Sequence, residues 1–161
     1  RAALVRNDGP TALVFSRQGL QHQARVPGQI EEISRGAYIL EDCVSPLEVI
    51  IIATGSEISI CRQATKHLNS EGVATRLVSM PSADVFDAQE EPYRETVLPS
   101  SVTRRVAVEA GSSHYWMKYV GLEGKVIGME RFGESAPGAV LMEHFGFTVD
   151  NVIAAAKSFR G

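Results

Sequence analysis

Ser16-Arg17-Gln18 is the triplet in this sequence best suited to holding a charged ligand. It follows TALVF, Thr11–Phe15, which reads as a short strand, so Arg17 would stand at a strand's carboxyl end. A guanidinium fixed there can grip a phosphate through two parallel N–H donors, which a lysine does less selectively. The competing reading is an ordinary solvated arginine.

Two turns form a second group of candidates. Thr54-Gly55-Ser56-Glu57 lies where an aliphatic run passes into a helical pattern, and free N–H groups at such a junction favour anions. It lacks the later glycines of a dinucleotide fingerprint and the Gly-Lys-Ser/Thr of a P-loop. The turn is therefore expected to be structural, with Thr54 and Glu57 forming a capping box. Glu109-Ala110-Gly111-Ser112 is similar, and its carboxylate reads as a cap or ion-pair partner before it reads as a general base.

His22, His67, His114 and His144 show no ligand spacing, and only His114, beside Tyr115 and Trp116, stands near a strand end. Cys43 and Cys61, 18 positions apart, read as free thiols of a reducing compartment. No Gly-x-Ser-x-Gly elbow occurs. Taken by themselves, the local motifs predict a non-catalytic domain.

The elements that must position these residues begin with VIIIA, Val49–Ala53. A continuous branched-aliphatic run of that length predicts a parallel strand covered on both faces. Further strands are expected at GAYIL (an edge), ATRLVSM, RRVAVEAG and KVIGME, with Val106 and Val108 facing one way. Helices are expected over 56–70, closed by Gly72, then over 83–88 and 92–97, through HYWMKYVG, from Ser135 to Gly146, and from Thr148 to about Phe159. Ile58, Cys61, Thr65 and Leu68 form the stripe by which the first of these would pack on the sheet. Five strands separated by helices predict an α/β fold, a three-layer α/β/α sandwich with a mostly parallel five-stranded sheet. Arg1–Asp8 reads as the last turns of a helix whose start is missing, which suggests a fragment. Residues 19–32 are polar, include Pro27-Gly28 and show no sustained period, so they read as a linker.

Composition narrows the function classes. With 161 residues, 44% hydrophobic, the chain can bury a core of one ordinary domain. A net charge of −3 with scattered Lys and Arg offers no footprint for nucleic acid. The longest aliphatic run is far short of the roughly 20 residues of a membrane helix, and no charged-then-apolar leader opens the sequence. A soluble, non-exported protein is expected.

The segments DGPTALVFSRQ, GAYILEDC, VIIIATGSEIS, TRLVSMPS, DVFDAQEEPYRETVLP, RRVAVEAG, WMKYVG, IGMERFGESAPG and FGFTVDNV, in this order, resemble the C-terminal end of transketolases. The joint occurrence of ATGSE, VSMPS, VAVEAG and FGESAP makes the resemblance specific. The spacing of Phe86, Gln89 and Tyr93 after VSMPS favours transketolase over related thiamine-diphosphate enzymes of the same fold. The resemblance implies a homodimeric cytoplasmic enzyme of the pentose phosphate pathway that moves a two-carbon ketol unit from a ketose phosphate to an aldose phosphate. It implies thiamine diphosphate and a divalent cation, Mg or Ca, as cofactors of the intact enzyme, with none expected in this fragment. Residues 1–18 then correspond to the tail of the middle, pyrimidine-binding domain, 19–32 to a linker and 33–161 to the C-terminal domain.

Within that resemblance Arg17 matches the arginine of the family's Ser-Arg-Gln triplet, which contacts the phosphate of the sugar substrate. The metal motif Gly-Asp-Gly, the catalytic histidines and the activating glutamate have no counterpart here, so no catalytic, cofactor or metal residue is expected in the fragment. The isolated chain is expected to be inactive, a scaffold or dimerisation unit that needs the missing N-terminal and middle domains. The alternatives are a non-catalytic assembly or regulatory ligand-binding domain, or the equivalent domain of another thiamine-diphosphate enzyme.

Overall fold

The computed structural model describes residues 2–16, 19–44 and 46–160. Its centre is β2, Val49–Ala53, in which every residue is buried. Alternate side chains of this strand feed opposite faces: Val49, Ile51 and Ala53 enter one apolar cluster, Ile50 and Ile52 another. A strand that must satisfy two cores cannot alternate with polar residues, which explains the unbroken aliphatic run. Full burial of each isoleucine is worth about 1.5–3 kcal/mol relative to exposure.

Around it stand β1 (Tyr38–Glu41), β3 (Thr75–Ser79), β4 (Arg105–Val108) and β5 (Lys125–Ile127) in the order β1-β3-β2-β4-β5. Ile51 lies opposite Leu77 of β3 on one side and Val106 of β4 on the other, both in parallel register. β5 is also parallel to β4, while β1 runs antiparallel to β3. The sheet is thus mixed and mostly parallel, as expected, with one reversed edge strand. Val106 and Val108 do share a face, with Ala107 on the other.

One face is covered by α3 (Ile58–Ser70) and α8 (Val149–Lys157). The expected stripe on α3 is buried in full, and Ala64 joins it. Gly72, with φ +79°, ends this helix in the conformation that glycine adopts at least cost. α8 starts where Thr148 predicts it, the threonine hydroxyl accepting the Asn151 amide at 3.2 Å. The other face is covered by α4 (Ala83–Asp87), α5 (Glu91–Val97), a 3₁₀ turn (Ser113–Trp116) and α6 (Met117–Val120), which bring Phe86, Val97, Trp116, Tyr119 and Val120 onto Ile50, Ile52 and Val78. α7, Gly138–His144, follows the irregular segment after β5, and a single turn, α1 (Ala2–Val5), stands near the start of the chain.

Three local expectations are corrected. Thr11–Phe15 forms no strand, because a strand needs a hydrogen-bonding neighbour and none is provided among the described residues. Leu13, Val14 and Phe15 are instead 63%, 95% and 81% exposed. A helix, α2, forms over Gln29–Ile33 where no periodic pattern predicts one. It is short, and its identity comes from the contacts of Gln29 with β1. Last, the capping box is absent: Thr54 is extended at the N-cap position of a 3₁₀ turn, Gly55–Glu57, but its side chain makes no capping hydrogen bond. Glu57 turns inward instead of back toward Thr54.

Candidate functional site

The strand order fixes where a site can lie. From β2 the chain goes to β3 on one side, then crosses back to β4 on the other, so the winding reverses between β2 and β4. In open α/β sheets the crevice outside the carboxyl ends of two such strands is the usual ligand position. Here its walls are the turns 54–57 and 109–112.

Glu57 is the most buried acid of this rim, 4% exposed. Its carboxylate accepts the Ser56 hydroxyl at 3.1 Å to each oxygen and also the backbone amide of Ala110, across the crevice. Burial outweighs these hydrogen bonds and raises its pKa above the ordinary carboxyl range. Glu109 is half-buried, and desolvation together with the Glu57 charge raises its pKa as well. The Cys61 thiol, buried one helical turn beyond Glu57, is pushed up by desolvation and by the same carboxylate. It is therefore inert as a nucleophile.

The backbone around Glu109 is tightly held. Its amide donates to Ile127 O at 3.1 Å, the Gly111 amide donates to Glu109 O at 2.8 Å, and the Met129 amide donates to Gly111 O at 2.8 Å. The Ser113 amide reaches Glu130 Oε1 at 3.3 Å, and His114 Nδ1 lies 3.9 Å from Glu130 Oε2 on the exposed side of the turn. His67 and His144 face Glu71 and Glu134, respectively, on the surface. The fold therefore brings Glu57 and Glu109 together and leaves the histidines dispersed. Among the described residues no group of three or more His, Cys, Asp and Glu could hold a metal ion.

Chemically this rim is an acidic, self-satisfied crevice. Glu57, raised by burial, and Glu109, raised by burial and by the Glu57 charge, hold protons more readily than isolated carboxyls and, where ionised, repel an added anion. A phosphate or diphosphate does not fit such a place. Residue-by-residue reading missed the pairing of Glu57 with Glu109. The signal that could have found it is topological: both follow strands that become neighbours only through the crossover. Arg17, the sequence-derived candidate of the Ser-Arg-Gln triplet, lies outside the described residues, as does its neighbour Gln18.

Fold and rim together define an open, doubly wound α/β domain with one reversed edge strand. The chain belongs to the transketolase-like C-terminal domain family, whose model, described as "Transketolase-like TK C-terminal domain", matches residues 36–148. It is 58% identical over 152 residues to transketolase 1 of Escherichia coli (strain K12), covering 94% of this chain and 23% of that protein. To transketolase 1 of Aliivibrio fischeri it is 54% identical over 157 residues, with 98% and 24% covered. Its fold is similar to that of transketolase from Leishmania mexicana, with a TM-score of 0.74 and 40% identity over 85% of this chain and 20% of that one. The chain spans about a quarter of the length of the curated relatives it matches. No helix among the described residues is long and apolar enough to cross a membrane.

Proposed function

We propose that these residues serve as the C-terminal region of an enzyme that transfers a two-carbon ketol unit from a ketose phosphate to an aldose phosphate. The observation that carries this reading is the 58% identity to a transketolase over 152 residues. Arg17 then supplies the guanidinium that holds the substrate's phosphate, a charge-assisted contact of about 1.5–3 kcal/mol. Thiamine diphosphate, held with a divalent cation, Mg or Ca, supplies the stabilised carbanion for C–C cleavage. Both sit in this reading outside residues 1–161, because the acidic rim at Glu57 and Glu109 suits neither a diphosphate nor its approach. The 161-residue chain alone is accordingly inactive. The working enzyme is a cytoplasmic homodimer of the pentose phosphate pathway.

Residues 1–18 belong in this reading to the preceding, pyrimidine-binding domain. The high exposure of Leu13, Val14 and Phe15 supports that assignment, since an apolar run of this kind is suited to completing a sheet made elsewhere.

The test is kinetic. In the full-length enzyme, Arg17→Ala is expected to raise KM for phosphorylated sugars roughly ten- to hundredfold while sparing unphosphorylated ones. Unchanged kinetics with phosphorylated sugars would remove Arg17 from the site. Absence of ketol transfer by the full-length enzyme would remove the function itself.

A further inference from the structure

The spacing of Phe86, Gln89 and Tyr93 spans the turn between α4 and α5 and brings all three residues to the point where the chain enters β1. The Tyr93 hydroxyl donates to Ala37 O at 2.7 Å. Gln89 Oε1 accepts Arg35 Nε at 3.2 Å, and its amide is held in that orientation by Nε2 donating to Val85 O at 3.0 Å. The Arg35 guanidinium stands over the Tyr93 ring, with Cζ 3.2 Å from the ring centre, a cation–π contact. Phe86 backs the same ring edge-on, the centroids 6.3 Å apart and the planes at 68°. Between these side-chain contacts the Ser82 amide donates to Gly36 O at 3.0 Å. Three successive residues, Arg35, Gly36 and Ala37, are thus gripped from one side.

What they grip is a thinly supported part of the sheet. β1 has four residues and a single neighbour, β3, and its register against β3 slips between Ile39 and Glu41. α2, ahead of it, has no fully buried residue and is tied to β1 through Gln29. Tyr38 and Leu40 reach into one apolar cluster and Ala37 into the other, and these are the side chains that detachment of β1 would uncover. Elements with so few neighbours open at a lower free energy than the strands they flank.

We propose that Phe86, Gln89 and Tyr93 form a latch that closes residues 29–41 onto α4 and α5, and that these residues open as a separate unit when the latch is released. The chain enters the sheet through this unit, so the latch determines how firmly the domain holds its own point of entry. Burial, with the Glu32 charge, raises the Tyr93 pKa, which keeps the phenol a donor to Ala37 O. Opening leaves β3 with unpaired ladder groups, the kind of edge to which another strand adds.

The experiment is native-state hydrogen exchange on the full-length protein, followed over residues 37–41, β2 and β4. In the native sequence residues 37–41 are expected to share one level of protection, lower than that of β2 and β4. Gln89→Ala and Tyr93→Phe each speed exchange over 37–41 about three- to tenfold, and together they speed it further. Val152→Ala removes a fully buried side chain from α8, which packs on α3 and β4. It speeds exchange in β2 and β4 and leaves 37–41 as they were, because a unit that opens alone does not sense a loss elsewhere. Residues 37–41 that are protected as well as β2, or that accelerate in step with it in Val152→Ala, overturn the separate unit. Exchange over 37–41 that neither Gln89→Ala nor Tyr93→Phe alters overturns the latch. Tyr93→Phe keeps the ring under Arg35 and loses only the hydroxyl, so the latch is still tested if Gln89→Ala fails to fold.

Discussion

Arg160 Nη2 lies 2.7 Å from both carboxylate oxygens of Glu48, closing 112 residues of chain into one ionic contact. Arg160 Nε adds a third bond to Glu48 Oε2 at 3.2 Å, and Nη2 a fourth to Gly72 O at 3.2 Å. The pair sits at the foot of β2, and the hydrogen bonds from Arg160, with its charge, lower the Glu48 pKa. Arg160→Ala is expected to reduce stability by up to about 1 kcal/mol, the usual ceiling for a well-formed exposed pair. Thermal melts in low and high salt check the origin of the loss. A deficit that shrinks with salt is ionic, and one that does not would assign the role of Arg160 to packing.

The two-sided burial of β2 sets the scale of core damage. Ile51, fully buried between Leu77 and Val106, should cost about 2–5 kcal/mol when replaced by alanine, from lost transfer energy and the cavity left behind. Val44, which is fully exposed, serves as control, and Val44→Ala should stay within about 0.5 kcal/mol. Urea unfolding of both variants measures the difference. Equal losses would contradict the placement of the core.

Glu57 carries a pH dependence opposite in sign to that of a salt-bridged acid. Burial raises its pKa, so the folded state binds its proton more tightly than the unfolded chain does. The stability this contributes is full below the ordinary glutamate value of about 4.3 and is lost as pH rises through the folded value. Ser56, the Ala110 amide, Glu109 and Cys61 are the groups around it, and the Glu109 charge is another that rising pH would set against it. Glu57→Gln keeps an acceptor oxygen and cannot ionise. Its stability relative to the native chain should therefore improve as pH rises from the ordinary glutamate value of about 4.3 through the raised folded value. A relative stability that declines over that interval would mean Glu57 is stabilised as the carboxylate.

Gly36 precedes β1 at φ +90°, and a Cβ there would stand 2.3 Å from Ser82 O and 2.4 Å from Phe86 N. Both obstacles are backbone and cannot swing away, and the Gly36 carbonyl also accepts the Ser82 amide at 3.0 Å. Gly36→Ala should cost more than about 3 kcal/mol, combining left-handed strain with steric displacement of α4. Gly133→Ala, where nothing lies within 4 Å, should be nearly neutral. Comparing the two melting temperatures is sufficient, and similar values would refute the close approach.

How much of this could be read beforehand follows from which residues answer to local rules. β2 and the α3 stripe were legible because burial on two faces and on one face leaves different apolar periods. Thr148 was legible as a cap because its partner amide is three residues away. Glu57 obeyed the same spacing with Thr54 and yet turned inward, where it bonds its own backbone and Ser56 and also meets the Ala110 amide, 53 residues downstream on a neighbouring turn and invisible to local spacing. The strand at Thr11–Phe15 failed for the complementary reason, that propensity cannot supply an absent neighbour. Helix α2 escaped notice because Gln29, a residue with no periodic signature, fixes it through the carbonyls of β1. Arg17 owes its standing entirely to a family motif.

The reversal of β1 has a consequence for how the domain can be joined to anything before it. Tyr38, the first residue of β1, pairs with Ser79, the last of β3, so the polypeptide enters at the carboxyl end of the parallel strands. A parallel edge strand would have brought the entering chain in at the opposite end. One change of strand direction therefore puts the point of attachment and the acidic turns on a common rim. Any load carried through the entering segment is applied beside Glu57 and Glu109, with the far end of the sheet left to Glu48 and Arg160.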